Sequence, residues 1–176
     1  APPGGDTPAY RICLILSDNP ESNYRRIAAQ FGVEARLHDI YEFCGARRPA
    51  AGPGPATGGA RPQAAEGVRD PELRRAYDLE TLRILTEHGV RLVAAAGYDW
   101  VISPELCRAL PIVNVHPGDL RVLDGEGRRR YVGLGWVPTA KAILQGEDTV
   151  RSTTHLVSAE LDGGPIARLS RPVPID

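Results

Sequence analysis

Residues 91–117 read RLVAAAGYDWVISPELCRALPIVNVHP, and two short apolar runs inside this stretch decide the fold. Runs of this length at residues 91–96 and 111–115 fit strands buried on both faces, as in a parallel sheet. Between them Ser103-Pro104 opens a short helix, because proline in the first helical turn gives up no backbone bond. The two runs are therefore expected as sheet neighbours. Strand side chains alternate, so Asn114 and His116 point to one face while Val113 and Val115 point to the other. Pro117 ends the strand, and ligands in open α/β sheets gather at the carboxyl ends of strands. Residue types alone leave two readings of His116 open, a group facing a cleft or a ring satisfied by a loop carbonyl.

Working outward, residues 11–16 (RICLIL) read as another buried strand, and Ser17-Asp18-Asn19-Pro20 as a turn whose Asp18 or Asn19 caps a helix. That helix is expected over about residues 21–31, with Tyr24, Ile27, Ala28 and Phe31 on one face and Gly32 stopping it. Residues 33–40 can return as a second strand. Asp70-Pro71 starts a helix that runs to about His88, with Leu73, Tyr77, Leu82 and Leu85 toward the core and Gly89 as its end. A further helix is predicted over residues 136–145, closed by Gly146, and the last strands over 153–158 and 165–170. This alternation predicts an α/β fold, an open, mostly parallel sheet with helices on both faces, in one domain over residues 1–176. It is interrupted by GARRPAAGPGPATGGARPQAAEG at residues 45–67, a flexible insertion with little to bury, either a mobile lid or an inert loop.

Composition narrows the function. The chain has 176 residues, 42% hydrophobic and 24% charged, with a net charge of −1. That balance gives no basic field for nucleic acid, and no apolar run reaches the roughly 18 residues of a membrane-spanning helix. Cys13, Cys44 and Cys107 lie far apart with no CxxC pair, so neither a disulfide scaffold nor a structural metal is expected, and a reducing cytoplasm is the expected location. The absence of methionine leads us to expect part of a longer protein.

A second polar cluster lies at Glu160-Leu161-Asp162-Gly163-Gly164-Pro165, preceded by Thr153-Thr154-His155-Leu156-Val157. Taken alone it is a tight turn. Together with the first signal, it can set an amide donor, two imidazoles and a carboxylate around a reacting carbonyl. A metal-dependent hydrolase using His116, Asp119, His155 and Asp162 is the reading from another class, although their spacing fits no metal motif.

NVHP at residues 114–117, AAGYDWVISPEL at 95–106 and THLVSAELDGGPI at 154–166 resemble, in order and spacing, the folate-dependent formyltransferases, especially those acting on glycinamide ribonucleotide. The resemblance implies transfer of a formyl group from 10-formyltetrahydrofolate to a small-molecule amine, without a metal. Its alternatives are another amine acceptor, a hydrolase releasing formate from the same folate, and a catalytically dead folate-binding module. The matching positions make Asn114, His116 and Asp162 the catalytic trio, with His155 in support. They place Trp100, Val101 and Ile102, with Ser158, Ala159, Glu160 and Leu161, around the reduced folate, and Gly97, Tyr98 and Pro117 beside the amine substrate. In this scheme Asn114 and a protonated His116 donate to the oxygen that becomes negative, while Asp162 favours the imidazolium and helps move the amine proton.

The chain also departs from the family. After Pro117 it reads GDLRVLDGEGRRRYVGLG, longer than the family's loop beside the amine, and Arg128, Arg129 and Arg130 either bind an anionic group of the substrate or form a solvated run. The family's first strand and its Gly-x-Gly-Ser-Asn phosphate loop have no counterpart, since residues 15–33 resemble the second strand and helix instead. The sequence stops just after the last predicted strand, without the family's C-terminal helix.

Overall fold

The computed structural model describes residues 10–48, 66–98 and 100–175. Strand β1 (Leu14–Ser17), helix α1 (Tyr24–Phe31) and strand β2 (Glu34–Leu37) form a βαβ unit, with Leu14 opposite Glu34 and Ser17 opposite Leu37 in a parallel ladder. β1 starts later than expected because its ladder is only as long as β2, and Ile12 lies outside it, 58% exposed. The predicted caps are also corrected. Asn23 is the N-cap and makes no side-chain cap bond, whereas Asn19 folds a turn of its own by accepting from the Glu21 N–H at 3.1 Å. Gly32 ends α1 as expected, in the left-handed conformation that glycine adopts at least cost.

β2 is shorter than predicted. Asp39 leaves the strand to cap helix α2 (Ile40–Phe43), accepting from the N–H groups of Tyr41 and Glu42. Of the segment predicted to be a flexible insertion, residues 49–65 lie outside the described residues. At its described edges Ala46 packs against the Ile40, Tyr41, Val68 and Tyr77 cluster, and residue 66 begins helix α3 (Glu66–Arg69), whose buried Val68 lies just beyond the segment.

Helix α4 (Pro71–Glu87) has the predicted start and end. Asp70 accepts from the Glu72 and Leu73 N–H groups at 2.9 and 3.0 Å, and Gly89 follows the His88 C-cap in the left-handed region. Strand β3 (Val93–Ala95) is followed by helix α5 (Pro104–Ala109), capped by Ser103, and strand β4 (Ile112–His116). Helix α6 (Val137–Leu144) leads to β5 (Thr149–Val150), β6 (Thr153–Leu156), β7 (Ile166–Leu169) and β8 (Val173–Pro174).

The central sheet has the order β3-β4-β6-β7. β3 and β4 run parallel, as expected for neighbours across a helical crossover. β6 lies antiparallel to both β4 and β7; the connection from β6 to β7, over residues 157–165, is too short for the crossover that a parallel pair needs. The α/β architecture is therefore parallel in its first half and antiparallel in its second. β5 and β8 form a separate two-stranded pair that the sequence reading did not anticipate. Leu85, Leu106 and Ile112 are buried together, and Leu14, Leu16, Val93 and Ala95 pack on them, so one apolar cluster supports both parallel pairs. Full burial of a Leu or Ile side chain, as at Leu85, Leu106 and Ile112, contributes about 1.5–3 kcal/mol.

Candidate active site

β4 carries the site on one face. Asn114 pairs with His155 of β6, and His116 pairs with Thr153, so strand alternation stacks these four side chains together. His116, Thr153 and His155 are buried, whereas Val115 on the other face is 61% exposed. Thr153 fixes the loop after β4, donating to the Gly118 carbonyl at 2.6 Å and accepting from the Leu120 N–H at 3.1 Å.

His116 is held from both sides. Nδ1 lies 3.3 Å from Asp162 Oδ1, and Nε2 lies 2.6 Å from the Tyr131 carbonyl. Of the two readings left open by the sequence, the loop carbonyl is present, on Tyr131; the ring is also paired with a carboxylate and is 2% exposed. It follows that His116 can donate to a substrate oxygen only by releasing Tyr131, so the expected pair of donors to that oxygen is reduced to Asn114 in this conformation. Gly118 permits the close packing, since a Cβ there would stand 2.8 Å from the Tyr131 carbonyl oxygen and 3.0 Å from His116 Nε2.

Asp162 comes from the turn between β6 and β7. Gly163 N–H closes that turn on the Glu160 carbonyl at 3.0 Å, and a Cβ on Gly164 would overlap the Leu156 carbonyl at 1.8 Å. The turn-forming glycines and the buried Asp162 are therefore parts of one turn. Besides His116, the carboxylate accepts the Gly133 N–H at 2.9 Å. Burial, the largest influence, pushes the Asp162 pKa up, but the bonds from His116 and Gly133 outweigh it and hold the group below its ordinary value.

His155 orients Asn114. Its Nδ1 faces the Leu156 carbonyl at 2.9 Å, which places the ring proton on Nδ1 and leaves Nε2 to accept from Asn114 Nδ2 at 3.5 Å. Burial lowers the His155 pKa and favours this neutral ring. The second Asn114 N–H is then free to point at a substrate oxygen.

The remaining predicted positions divide. The segment over residues 96–98 leaves the carboxyl end of β3, where Ala95 pairs with Asn114, so it emerges beside the trio. Within it Gly97 is left-handed and exposed, and burial pushes the Tyr98 hydroxyl pKa up. The Trp100 side chain points into the Tyr41 cluster and its Nε1–H donates to Asp18 at 2.7 Å, a packing role. Val101 is 54% exposed, its carbonyl accepts from Arg74, and Ile102 packs against the Leu85 cluster. Ser158 bonds the Glu160 carbonyl, and Ala159, Glu160 and Leu161 are exposed along the same loop that ends at Asp162. The Pro117 carbonyl accepts from Thr139 at 2.9 Å. Asp119 turns to Arg121 and Arg151, so the four-residue metal set does not converge; among the described residues no His, Cys, Asp or Glu group has metal-binding geometry.

Sequence reasoning missed Tyr131, Gly133 and Arg74. The first two act through backbone groups, which carry no residue signature. Arg74 stacks between Tyr77 and Trp100 with its Nη1 buried and unpartnered. The arginine run also divides: Arg128 pairs outward with Asp124 and Glu126, while Arg129 turns inward to donate to the Asp162 carbonyl.

No family model matches the chain. It is 36% identical over 90 residues to a chloroplastic phosphoribosylglycinamide formyltransferase of Arabidopsis thaliana, a match covering 49% of this chain and 29% of that protein. It is 26% identical over 97 residues to a formyltetrahydrofolate deformylase of Bacillus subtilis, covering 54% of this chain and again 29% of the relative. Among solved structures, glycinamide ribonucleotide transformylase 1 of Symbiobacterium toebii superposes with a TM-score of 0.65 at 26% identity, covering 93% of this chain and 60% of that one. These matches span less than a third of the length of the two curated relatives.

Proposed function

Starting from a chain related in sequence and fold to folate-dependent formyltransferases and deformylases, we propose that it transfers a formyl group from 10-formyltetrahydrofolate to the amine of glycinamide ribonucleotide, in the cytoplasm, as a single catalytic domain. The observation that carries this reading is the convergence of Asn114, His116 and Asp162 on one buried face, with both partners of His116 within hydrogen-bonding reach.

The amine nitrogen attacks the formyl carbon, forming a C–N bond and moving an electron pair onto the formyl oxygen. The free N–H of Asn114 donates to that oxyanion, in a site where burial strengthens each dipole. Asp162 is ionised and faces the positive charge that develops on the amine; the proton then passes, through water, to folate N10 as the C–N10 bond breaks. His116 holds the carboxylate in place through Nδ1. Residues 100–102 and the turn over residues 158–161 flank the folate, chiefly through backbone groups, with Gly97, Tyr98 and Pro117 beside the amine.

The deformylase reading has its own support in the Bacillus subtilis relative, and differs only in the nucleophile. Incubation with 10-formyltetrahydrofolate, with and without glycinamide ribonucleotide, separates the two. A formylated ribonucleotide supports the transferase, and formate produced without amine supports the hydrolase. Folate binding with neither product would leave a binding module. Asn114→Ala is expected to abolish turnover in either enzyme while leaving the far-ultraviolet circular dichroism unchanged, and full turnover by that variant would overturn the assignment of the oxyanion donor.

A further inference from the structure

Asp162 is the one residue other than glycine, among the described residues, with a positive φ, at 53°. A left-handed conformation costs an ordinary side chain free energy and persists only where its surroundings over-determine it. The peptide plane after Asp162 is tied within the turn only on its N–H side, where Gly163 N–H donates to the Glu160 carbonyl at 3.0 Å. The carboxylate is held by His116 and Gly133, but these bonds fix the side chain, not the peptide. The Asp162 carbonyl is held by Arg129 Nη1, which reaches it from a residue 33 positions away in sequence.

Arg129 is well placed to act as an anchor. Residues 122–130 form a small hairpin: Leu123 and Arg129 are bridge partners, Asp124 N–H donates to the Arg128 carbonyl at 2.8 Å, and Arg130 N–H donates to Val122 at 2.9 Å. The Asp124 carboxylate closes the tip by accepting the Glu126 and Arg128 N–H groups, both at 2.9 Å. Alternation along the hairpin sends Arg128 and Arg130 outward and Arg129 inward, onto the turn. The hairpin lies within the stretch that departs from the family's loop.

We propose that Arg129 is a positioning residue, whose guanidinium locks the Asp162 peptide in the left-handed turn that aims the carboxylate at His116. This rests on the reading of His116 and Asp162 as reacting groups, but it makes a geometric claim that can be tested without turnover. Arg129→Met removes the donors and keeps the length of the side chain, and Arg129→Lys returns one donor and the charge.

In the full chain labelled with nitrogen-15, Arg129→Met is expected to shift the His116 Nδ1 resonance, and Arg129→Lys to move it back toward the wild-type position. In the formyl-transfer or deformylation assay, Arg129→Met should lower kcat about tenfold with the folate KM changed by less than about twofold, since an interaction felt only at the reacting groups is lost. Arg129→Lys should recover most of that rate. An unmoved His116 resonance in Arg129→Met, or a raised KM at unchanged kcat, overturns the proposal, the latter because it would mean direct contact with substrate. If Arg129→Met melts below the assay temperature, Arg129→Lys carries the same readouts with a smaller displacement. If the wild-type protein turns over no folate, the functional reading fails while the resonance still decides the role of Arg129.

Discussion

Replacing Asp162 by asparagine keeps the shape of the side chain and removes its charge, so it isolates what the carboxylate does. Two donors meet it, His116 Nδ1 at 3.3 Å on Oδ1 and Gly133 N–H at 2.9 Å on Oδ2. An amide has one oxygen, so one of those donors must face an NH2 group. The His116 and Asp162 side chains are 2% and 6% exposed, which leaves no ready solvent to replace the lost acceptor. A hydrogen bond to a charged group contributes about 1.5–3 kcal/mol, and each kcal/mol moves the melting midpoint of a chain of this size by about 2–4 °C, so a drop of about 3–12 °C is expected by calorimetry. Turnover of 10-formyltetrahydrofolate should fall by about 10²–10⁴, the usual contribution of a positioned proton-transfer group. The pH dependence has a definite sign. Because the folded-state pKa of Asp162 lies below its ordinary value of 3.8, its contribution is present above that value and is lost as pH falls through the folded-state pKa. The stability gap between wild type and Asp162→Asn should therefore be constant near neutrality and close in acid. Turnover and melting midpoint indistinguishable from wild type would refute the reasoning.

Three further outcomes are expected. Gly118→Ala places a methyl against the Tyr131 carbonyl and His116 Nε2, and should lower both turnover and the melting midpoint; wild-type values of both would show that the close packing around His116 is dispensable. Thr153→Val keeps the volume but strips the acceptor from Leu120 N–H and the donor to Gly118, leaving two buried groups unpaired at a cost of about 2–6 kcal/mol, measurable by urea unfolding. His38, stacked on Tyr77 at 4.0 Å, and His155 both have pKa values lowered from 6.5, chiefly by burial. The unfolded chain takes up those protons first as pH falls below 6.5, so stability should be greatest above it and decline on acidification toward the folded-state values. A His38→Asn variant should show a shallower decline, and an unchanged slope would assign the effect elsewhere.

The bounds of α4 were legible because their causes are local. Asp70 and Pro71 fix the start within one turn, and Gly89 fixes the end. The alternation that set Asn114 and His116 on one face is a property of any strand and needed no knowledge of what packs there. The start of β1, the length of β2 and the β5–β8 pair were not legible in the same way, since a ladder extends only as far as its partner does. Asp39 is an intermediate case. Its capping of α2 is a local event, but the apolar residues that follow it read equally well as the end of a strand.

The α/β class, the polar face of β4 and the aspartate in a glycine-rich turn are all set by residues within a few positions of one another, and so were readable in the chain. Which groups meet them depends on how distant segments pack. The tertiary structure put the Tyr131 carbonyl on His116, the Gly133 N–H and the Arg129 guanidinium on Asp162, and His155 on Asn114, across separations of 15 to 41 residues. Two of these partners are backbone groups, identical in chemistry at nearly every position, so composition and spacing cannot single them out; they acquire a role when the sheet brings one strand end, one hairpin and one turn to the same point.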